Sequence, residues 1–288
     1  MTVTTLSSTA SGVSPGRPAR RRRAARPGSL TPASALGLGV ALIWFSLLVL
    51  IPLAMVVLTS QKDGWGAFWS AITNEETLAA VRLTVLQSVL VTLLNVVMGT
   101  VIAWVLVRDR FPGKAVLDVV IDIPFALPTI VAGLVLLSLY GPGSPLGVNV
   151  ASTRFAVFLA LAFVTLPFVV RTVQPVLQEL EADVEEASAS LGADRLTTFR
   201  RVILPSLVPA IAAGAALSFA RGISEYGSLV LLSGNLPYHT EVASVRVYQF
   251  VEGGDLTSAA AIATLMLLVA LVVIVGLDIV QRKVAGRV

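Results

Sequence analysis

Glu185-Glu186-Ala187-Ser188-Ala189-Ser190-Leu191-Gly192, followed nine residues later by Val202-Ile203-Leu204-Pro205, is the stretch on which the reading of this fold turns. It is polar and acidic, and it is wedged between two long apolar runs. Leu177, Leu180, Val184, Ala187 and Leu191 recur at helical spacing, while Glu179, Glu181, Asp183, Glu185 and Glu186 crowd one side. This pattern predicts an amphipathic helix. Gly192 follows Leu191 where a C-terminal cap glycine belongs, so the chain turns there. A second short helix is expected over about 194–202, carrying Arg195, Arg200 and Arg201. Pro205 then suits the first turn of the next apolar helix, where its missing N–H costs nothing.

The surroundings say what kind of protein carries this loop. Of 288 residues, 56% are hydrophobic and only 13% charged, and the mean hydropathy is +0.86. A soluble domain carries about 25% charged residues, so this chain cannot cover a water-facing surface and reads as a polytopic membrane protein. There is no cysteine, which removes disulfides, thiolate metal sites and cysteine nucleophiles. A single histidine, His239, excludes His-paired metal motifs.

Six apolar runs cover about 35–59, 81–107, 124–140, 155–175, 205–232 and 257–280. A spanning helix needs about 20 apolar residues, so each run is a candidate span, with 124–140 at the short limit. The first is too long for a signal-peptide core and is expected to be retained as a helix over 34–60. Residues 1–33 are rich in Ser, Pro, Gly and Arg without an acid, a composition that predicts a disordered tail. Its six arginines suit a cytoplasmic anchor; an organelle transit peptide has the same composition. With the N-terminus inside, 16 basic residues fall on the inner side and four outside, leaving Arg221 within a span. That asymmetry places both termini and the loop 178–204 in the cytoplasm. The external segments 60–80, 141–154 and 233–256 are too small to form a receptor domain.

Read on periodicity alone, the loop is either a solvated connection or a docking element. Its spacing resolves the choice. Glu186-Ala187-Ser188, three residues, Gly192, nine residues and Val202-x-Leu204-Pro205 resemble the EAA loop of ABC-importer permeases, in which Glu-Ala-Ala, Gly and Ile-x-Leu-Pro stand at the same offsets. Ser188 and Val202 depart from that pattern by small changes in volume. The likeness extends over about 82–282, through Trp104-Val105-Leu106-Val107-Arg108-Asp109-Arg110-Phe111-Pro112-Gly113-Lys114 and Asp122-Ile123-Pro124-Phe125-Ala126-Leu127-Pro128-Thr129. It continues through Leu166-Pro167-Phe168-Val169-Val170-Arg171-Thr172-Val173-Gln174-Pro175 and Ser218-Phe219-Ala220-Arg221-Gly222-Ile223-Ser224-Glu225-Tyr226-Gly227. In this order these segments are similar to the molybdate/sulfate group of ABC permeases, and within it to the T-type sulfate/thiosulfate permeases.

The resemblance implies an all-α membrane protein of six transmembrane helices, the type I (MetI-like) ABC-importer permease fold, in a bacterial cytoplasmic membrane. The core would be 81–282. It implies two ATPase subunits that bind ATP and Mg, a second permease subunit (W-type, CysW-like, or a copy of the chain) and a sulfate-binding protein. It makes Glu185, Glu186, Ala187, Ser188, Gly192, Ala193, Leu204 and Pro205 the candidates for coupling to the ATPase. No cofactor, no metal and no nucleic acid is expected for the chain itself, and membrane lipid is its solvent. The sequence has no G-x-x-x-x-G-K-[ST] loop, so ATP must bind elsewhere.

Charges inside spans are costly and mark functional candidates. Arg221 and Glu225, four apart, are read as one helix face: either a self-neutralising packing pair or a polar patch on the pathway, where weak contacts with an anion suit permeation. Arg171, near the inner end of the fourth run, either snorkels to the interface or faces the pathway. Pro124 and Pro128 start or bend the third span. His239 is read as an external loop residue. Molybdate is the alternative substrate. An ion-coupled secondary transporter is disfavoured because Glu225 is the only acid well inside a span, and an intramembrane enzyme because no nucleophile–base pair is evident.

Overall fold

Runs of apolar residues in helix-forming sequence become helices because in lipid every backbone N–H and C=O must be satisfied within its own segment. The computed structural model describes residues 32–180 and 182–285, and the side chains of 34–180, 186–279 and 281–283. Regular structure among them is helical throughout. The disordered tail expected over 1–33 falls outside the described residues except at 32–33, where the first helix has already begun.

The chain divides into two units, Met1–Ile51 and Pro52–Val288. The first contributes α1 (Pro32–Phe45) and a π-helical turn, Ser46–Leu50, without a buried side chain among those described. The second carries all but the first residue of α2 (Ile51–Ser60), then α3 (Gly64–Thr73), α4 (Glu75–Arg108), α5 (Lys114–Ala126), α6 (Thr129–Tyr140) and α7 (Arg154–Glu179). Then come α8 (Ala182–Ser190), α9 (Arg195–Thr198), α10 (Leu204–Ile223), α11 (Gly227–Leu232), α12 (Ala243–Glu252) and α13 (Leu256–Ala285). Among the described residues five stretches are long and apolar enough to cross a membrane: Ser34–Ser60, Glu75–Arg108, Arg154–Glu179, Arg195–Ile223 and Leu256–Lys283. A sixth is obtained if α5 and α6, bent by 116°, count as one.

Packing centres on α7. Its Ala156, Val157, Ala160, Leu161, Val169, Val170 and Val173 are all fully buried. Thr153 caps its start by accepting from the Ala156 amide, as Asn74 caps α4 by accepting from the amides of Glu76 and Thr77. α4 lies against α7 through Gly99, where a Cβ would come within 2.8 Å of Val169 Cβ. α10 lies against it at Gly214, where a Cβ would come within 3.0 Å of Val169 Cα. Small residues let helices approach in lipid, where no hydrophobic force drives them together. A buried polar contact fixes the register of all three: Asn95 on α4 donates to Thr165 Oγ1 on α7 at 2.7 Å and to Ser218 Oγ on α10 at 3.2 Å.

The bend expected from the prolines of the third run is present: the helix stops at Ala126 and restarts at Thr129, because Pro128 disfavours helical geometry at Leu127, which is extended with ψ 135°. Two other expectations are revised. The run 205–232 breaks after Ile223 and resumes as α11, so Glu225 stands in a break and not on the α10 helix. The segment 194–202 is not a separate helix. It runs through a π-helical turn, Phe199–Ile203, into α10. Pro205 cannot donate to the carbonyl one helical turn back, and in that turn the Leu204 amide reaches back to Phe199 O instead.

Candidate functional site

The loop is a built hairpin. α7 ends at Glu179, with Leu180 extended beyond it, and α8 begins at Ala182. The amphipathic helix expected to run continuously from Leu177 to Leu191 is therefore interrupted: Leu177 is buried on α7, whereas Leu191 is 89% exposed at the tip. Gly192 takes φ +83°. Its amide donates to Ala189 O at 2.9 Å and the Ala193 amide to Ser188 O at 3.1 Å, which is the Schellman closure of a helix end. Asp194 starts the next helix by accepting from the Thr197 amide at 2.9 Å, and the Thr197 hydrogen bonds hold its carboxyl below the ordinary carboxylate value. Ser188 and Thr198 share a hydrogen bond of 2.9 Å that ties α8 to α9.

Of the coupling candidates, Glu186, Ala187 and Gly192 are exposed, Ser188, Ala193, Leu204 and Pro205 half-buried. The Glu185 side chain lies outside the described residues, as do Glu181 and the side chain of Asp183. Leu191 and Leu196 add apolar surface at the tip, at 89% and 53% exposed. Beneath the hairpin a cavity of about 270 Å³ is lined by Trp104, Ala189, Ala193, Arg195, Thr198, Phe199 and Ile203. Trp104, near the end of α4, meets Phe199 edge-on with ring centroids 5.8 Å apart, and the Arg108 guanidinium lies 5.8 Å from the Trp104 ring.

At the other end of α10, Arg221 pairs with Glu225 at 2.5 Å. The Glu225 side chain is fully buried and that of Arg221 28% exposed. The second carboxylate oxygen accepts from the Ser228 amide and hydroxyl, both at 2.8 Å, which caps the start of α11. Ser244 Oγ donates to the Glu225 carbonyl and brings in α12. The two helix breaks meet here. A Cβ on Gly227 would come within 2.8 Å of the Ile130 amide nitrogen, and one on Gly133 within 2.7 Å of Ser228 O. The starts of α6 and α11 thus pack backbone to backbone beside the Arg221–Glu225 pair, inside two apolar runs.

Arg171, expected to snorkel or to face the pathway, has its guanidinium held by α5. Nε donates to Asp122 Oδ1 at 2.7 Å, Nη1 to Asp118 Oδ1 at 2.7 Å and Nη2 to Asp118 O at 2.8 Å. Arg171 lies toward the loop end of α7 and Arg221 at the far end of α10, so they do not share a site. Asp118 and Asp122 were not singled out from the sequence. Their spacing of four on an otherwise apolar helix was the available signal. Thr129, Gly133, Gly227 and Ser228 were likewise missed as contacts, since no local pattern reveals that two breaks will face one another. His239 is exposed in the segment between α11 and α12, and its carbonyl accepts from Arg154 Nε at 3.1 Å. Among the described residues no group of three His, Asp or Glu side chains could hold a metal ion.

Residues 95–288 match the family model described as "Binding-protein-dependent transport system inner membrane component". The chain is 40% identical over 264 residues to the sulfate transport system permease protein CysT of Salmonella typhimurium, covering 89% of this chain and 95% of that one. It is 42% identical over 250 residues to the protein of the same name from Synechocystis, covering 84% and 87%. Among solved structures it resembles a bacterial alginate ABC transporter bound to its periplasmic protein, with TM-score 0.71 at 17% identity over 87% of this chain and 94% of the other. It also resembles the inward-facing MetNI methionine ABC transporter, with TM-score 0.54 at 17% identity over 74% and 99%.

Proposed function

Because the chain belongs to the family of binding-protein-dependent transport system inner membrane components, we propose that it is the permease subunit of an ATP-driven sulfate importer. It is a multi-pass protein of the bacterial inner membrane. The single observation that carries the substrate is the likeness, at about two residues in five over nearly the whole chain, to permeases named for sulfate transport. Thiosulfate is the second substrate and molybdate the competitor to be excluded. Two ATPase subunits, a sulfate-binding protein and a second permease subunit of the W type complete the assembly.

The hairpin 178–204 is the contact for the ATPase, on the cytoplasmic side together with both termini. Its exposed Glu186, Ala187, Leu191 and Leu196 supply a mixed acidic and apolar docking surface. The helical stretch Arg195–Ile223 supports a direct mechanical link from it to the pathway. At 1.5 Å per residue its 29 residues reach about 44 Å, from the hairpin to the Arg221–Glu225 pair. Movement of the hairpins as the ATPases close on ATP would be carried along this lever and would re-aim the breaks at 127–128 and 224–226. ATP and sulfate are then coupled through two sites and two global states. Non-helical backbone at membrane depth is tolerated where protein buries it or where it lines a water-filled cavity. That supports the meeting point of the two breaks as part of the pathway, with Arg221 attracting the dianion and Glu225 keeping the attraction weak.

The test is uptake of labelled sulfate into vesicles holding this chain with its partner subunits and binding protein, wild type against Gly192→Val. Uptake that requires ATP, is competed by thiosulfate more than by molybdate, and is lost in a variant that still assembles supports both substrate and coupling. Uptake indifferent to ATP and to the substitution refutes the reading.

A further inference from the structure

α3 connects two spans, yet it is not built like a loop. Gly64–Thr73 contains no charged residue, while Lys62, Asp63, Glu75 and Glu76 flank it on both sides. At about 100° per residue its side chains fall into three sectors. Phe68, Ala71 and Ile72 pack on Ala261 and Leu265 in the first three turns of α13. Gly66, Ser70 and Thr73 form a small, weakly polar side. Between these sectors stand Trp65 and Trp69, one turn apart, 66% and 57% exposed. Each meets Phe68 edge-on, at 5.8 Å and 5.9 Å between ring centroids.

The depth of this helix follows from its neighbours. The first span ends at Ser60, four residues before α3 begins, and α13 starts its span at Leu256. The cavity lined by Met55, Val56, Thr59, Leu256 and Ala259 places the end of α2 beside the start of α13. α3 therefore sits where two spans leave the hydrocarbon, at the end of the bundle remote from the 178–204 hairpin. The exposed surface leading to it is apolar: Met55 and Leu58 on α2 and Leu256 on α13 are about half exposed or more. An uncharged face with two tryptophans, continuous with that surface, matches the amphipathic chemistry of the headgroup layer, where indole rings concentrate.

We propose that α3 is a membrane-interface helix whose Trp65–Trp69 face is seated among the phospholipid headgroups of the leaflet opposite the coupling hairpin. Trp65 and Trp69 then hold the outer ends of the Ser34–Ser60 and Leu256–Lys283 spans at a fixed depth. The inference does not depend on the substrate.

The chain has no cysteine, so with cysteine-free partner subunits a single spin label reports from one site. In the assembled transporter in phosphatidylcholine/phosphatidylglycerol nanodiscs, nitroxides at Trp65→Cys and Trp69→Cys are compared with Lys62→Cys and with Leu86→Cys, which is exposed on α4. The expected oxygen-to-nickel accessibility ratio lies between those of the two reference sites. Unlabelled wild type gives a second reading: its emission should be quenched by shallow-brominated lipid, with less quenching in Trp65→Phe/Trp69→Phe. Nickel accessibility equal to that at position 62, with no quenching difference, overturns the proposal. So does a label that stays water-accessible until the sulfate-binding protein is added and is then immobilised, because the partner is then a protein.

Discussion

Arg221→Ala strands a fully buried carboxylate. Removing one partner of a buried ion pair costs about 3–5 kcal/mol, and because Arg221 keeps 28% of its side chain exposed the cost here should be nearer 2–3 kcal/mol. Arg221→Ala/Glu225→Gln should recover most of it, since a glutamine carbonyl still accepts from the Ser228 amide and hydroxyl without an uncompensated charge. Melting of the lipid-solubilised single and double variants checks this; equal losses in both would mean that the pair itself carries the stability. Glu241, between α11 and α12, behaves in the opposite sense. Burial pushes its carboxyl above the ordinary 4.5, Arg246 pulls it down and Glu76 adds to the rise. A raised folded value means that the folded protein keeps a proton the unfolded chain has released. Its contribution to stability is therefore full below about pH 4.5 and is lost as the pH climbs through the folded value. Glu241→Gln should raise the melting temperature at about pH 7 to 8 and flatten its decline with pH. An unchanged slope would assign the pH dependence to another group.

Among the elements, the hairpin was the most legible in the sequence. Gly192 after an apolar residue gave its turn, and the offsets from Glu186 to Pro205 gave its extent, because caps and turns are local chemistry. No atom of this chain lies within 4 Å of where a Gly192 side chain would start, so within the subunit a substitution there acts through φ +83°. The left-handed region costs an ordinary L residue about 1–2 kcal/mol, and asparagine tolerates it best. Gly192→Asn should therefore retain most sulfate uptake, while Gly192→Val loses it with ATP hydrolysis continuing, read as ATP consumed per sulfate moved. Equal uptake in the two variants would show that the turn conformation is irrelevant. The third and fifth runs were less legible. Hydropathy sees the apolar stretches 124–140 and 205–232 as continuous, although Pro128 stops one and Glu225-Tyr226-Gly227 interrupts the other. The positions of the breaks were visible as Pro and Gly. The 116° bend between α5 and α6 and the contact between the two breaks were not, because these follow from α6 and α11 packing on each other. The partners of Arg171 were hidden for the same reason, since Asp118 and Asp122 come from a helix about fifty residues away.

Taken whole, the molecule is unevenly buried. More than half of the apolar window of α7 is covered by the rest of the chain, against 33% of that of α4. Leu161→Ser, at a fully buried site on α7, should destabilise the bundle by about 2–4 kcal/mol through the cavity it leaves, whereas Leu86→Ser, 53% exposed on α4, should change the melting temperature little. Comparable losses would mean that this face of α4 is covered by protein in the working assembly. The meeting of the two helix breaks has a different kind of consequence. Wherever that surface is formed by main chain, every amino acid but proline presents the same carbonyl and amide. A scan that replaces one side chain at a time edits none of those atoms, and would pass over them as if they were silent. Only exchange of single amide linkages for esters would expose them. A surface formed in this way can keep its contour while the letters at Ser224 and Tyr226 drift, provided Pro128, Gly133, Gly227 and the Glu225 carboxylate continue to hold the two helix starts together.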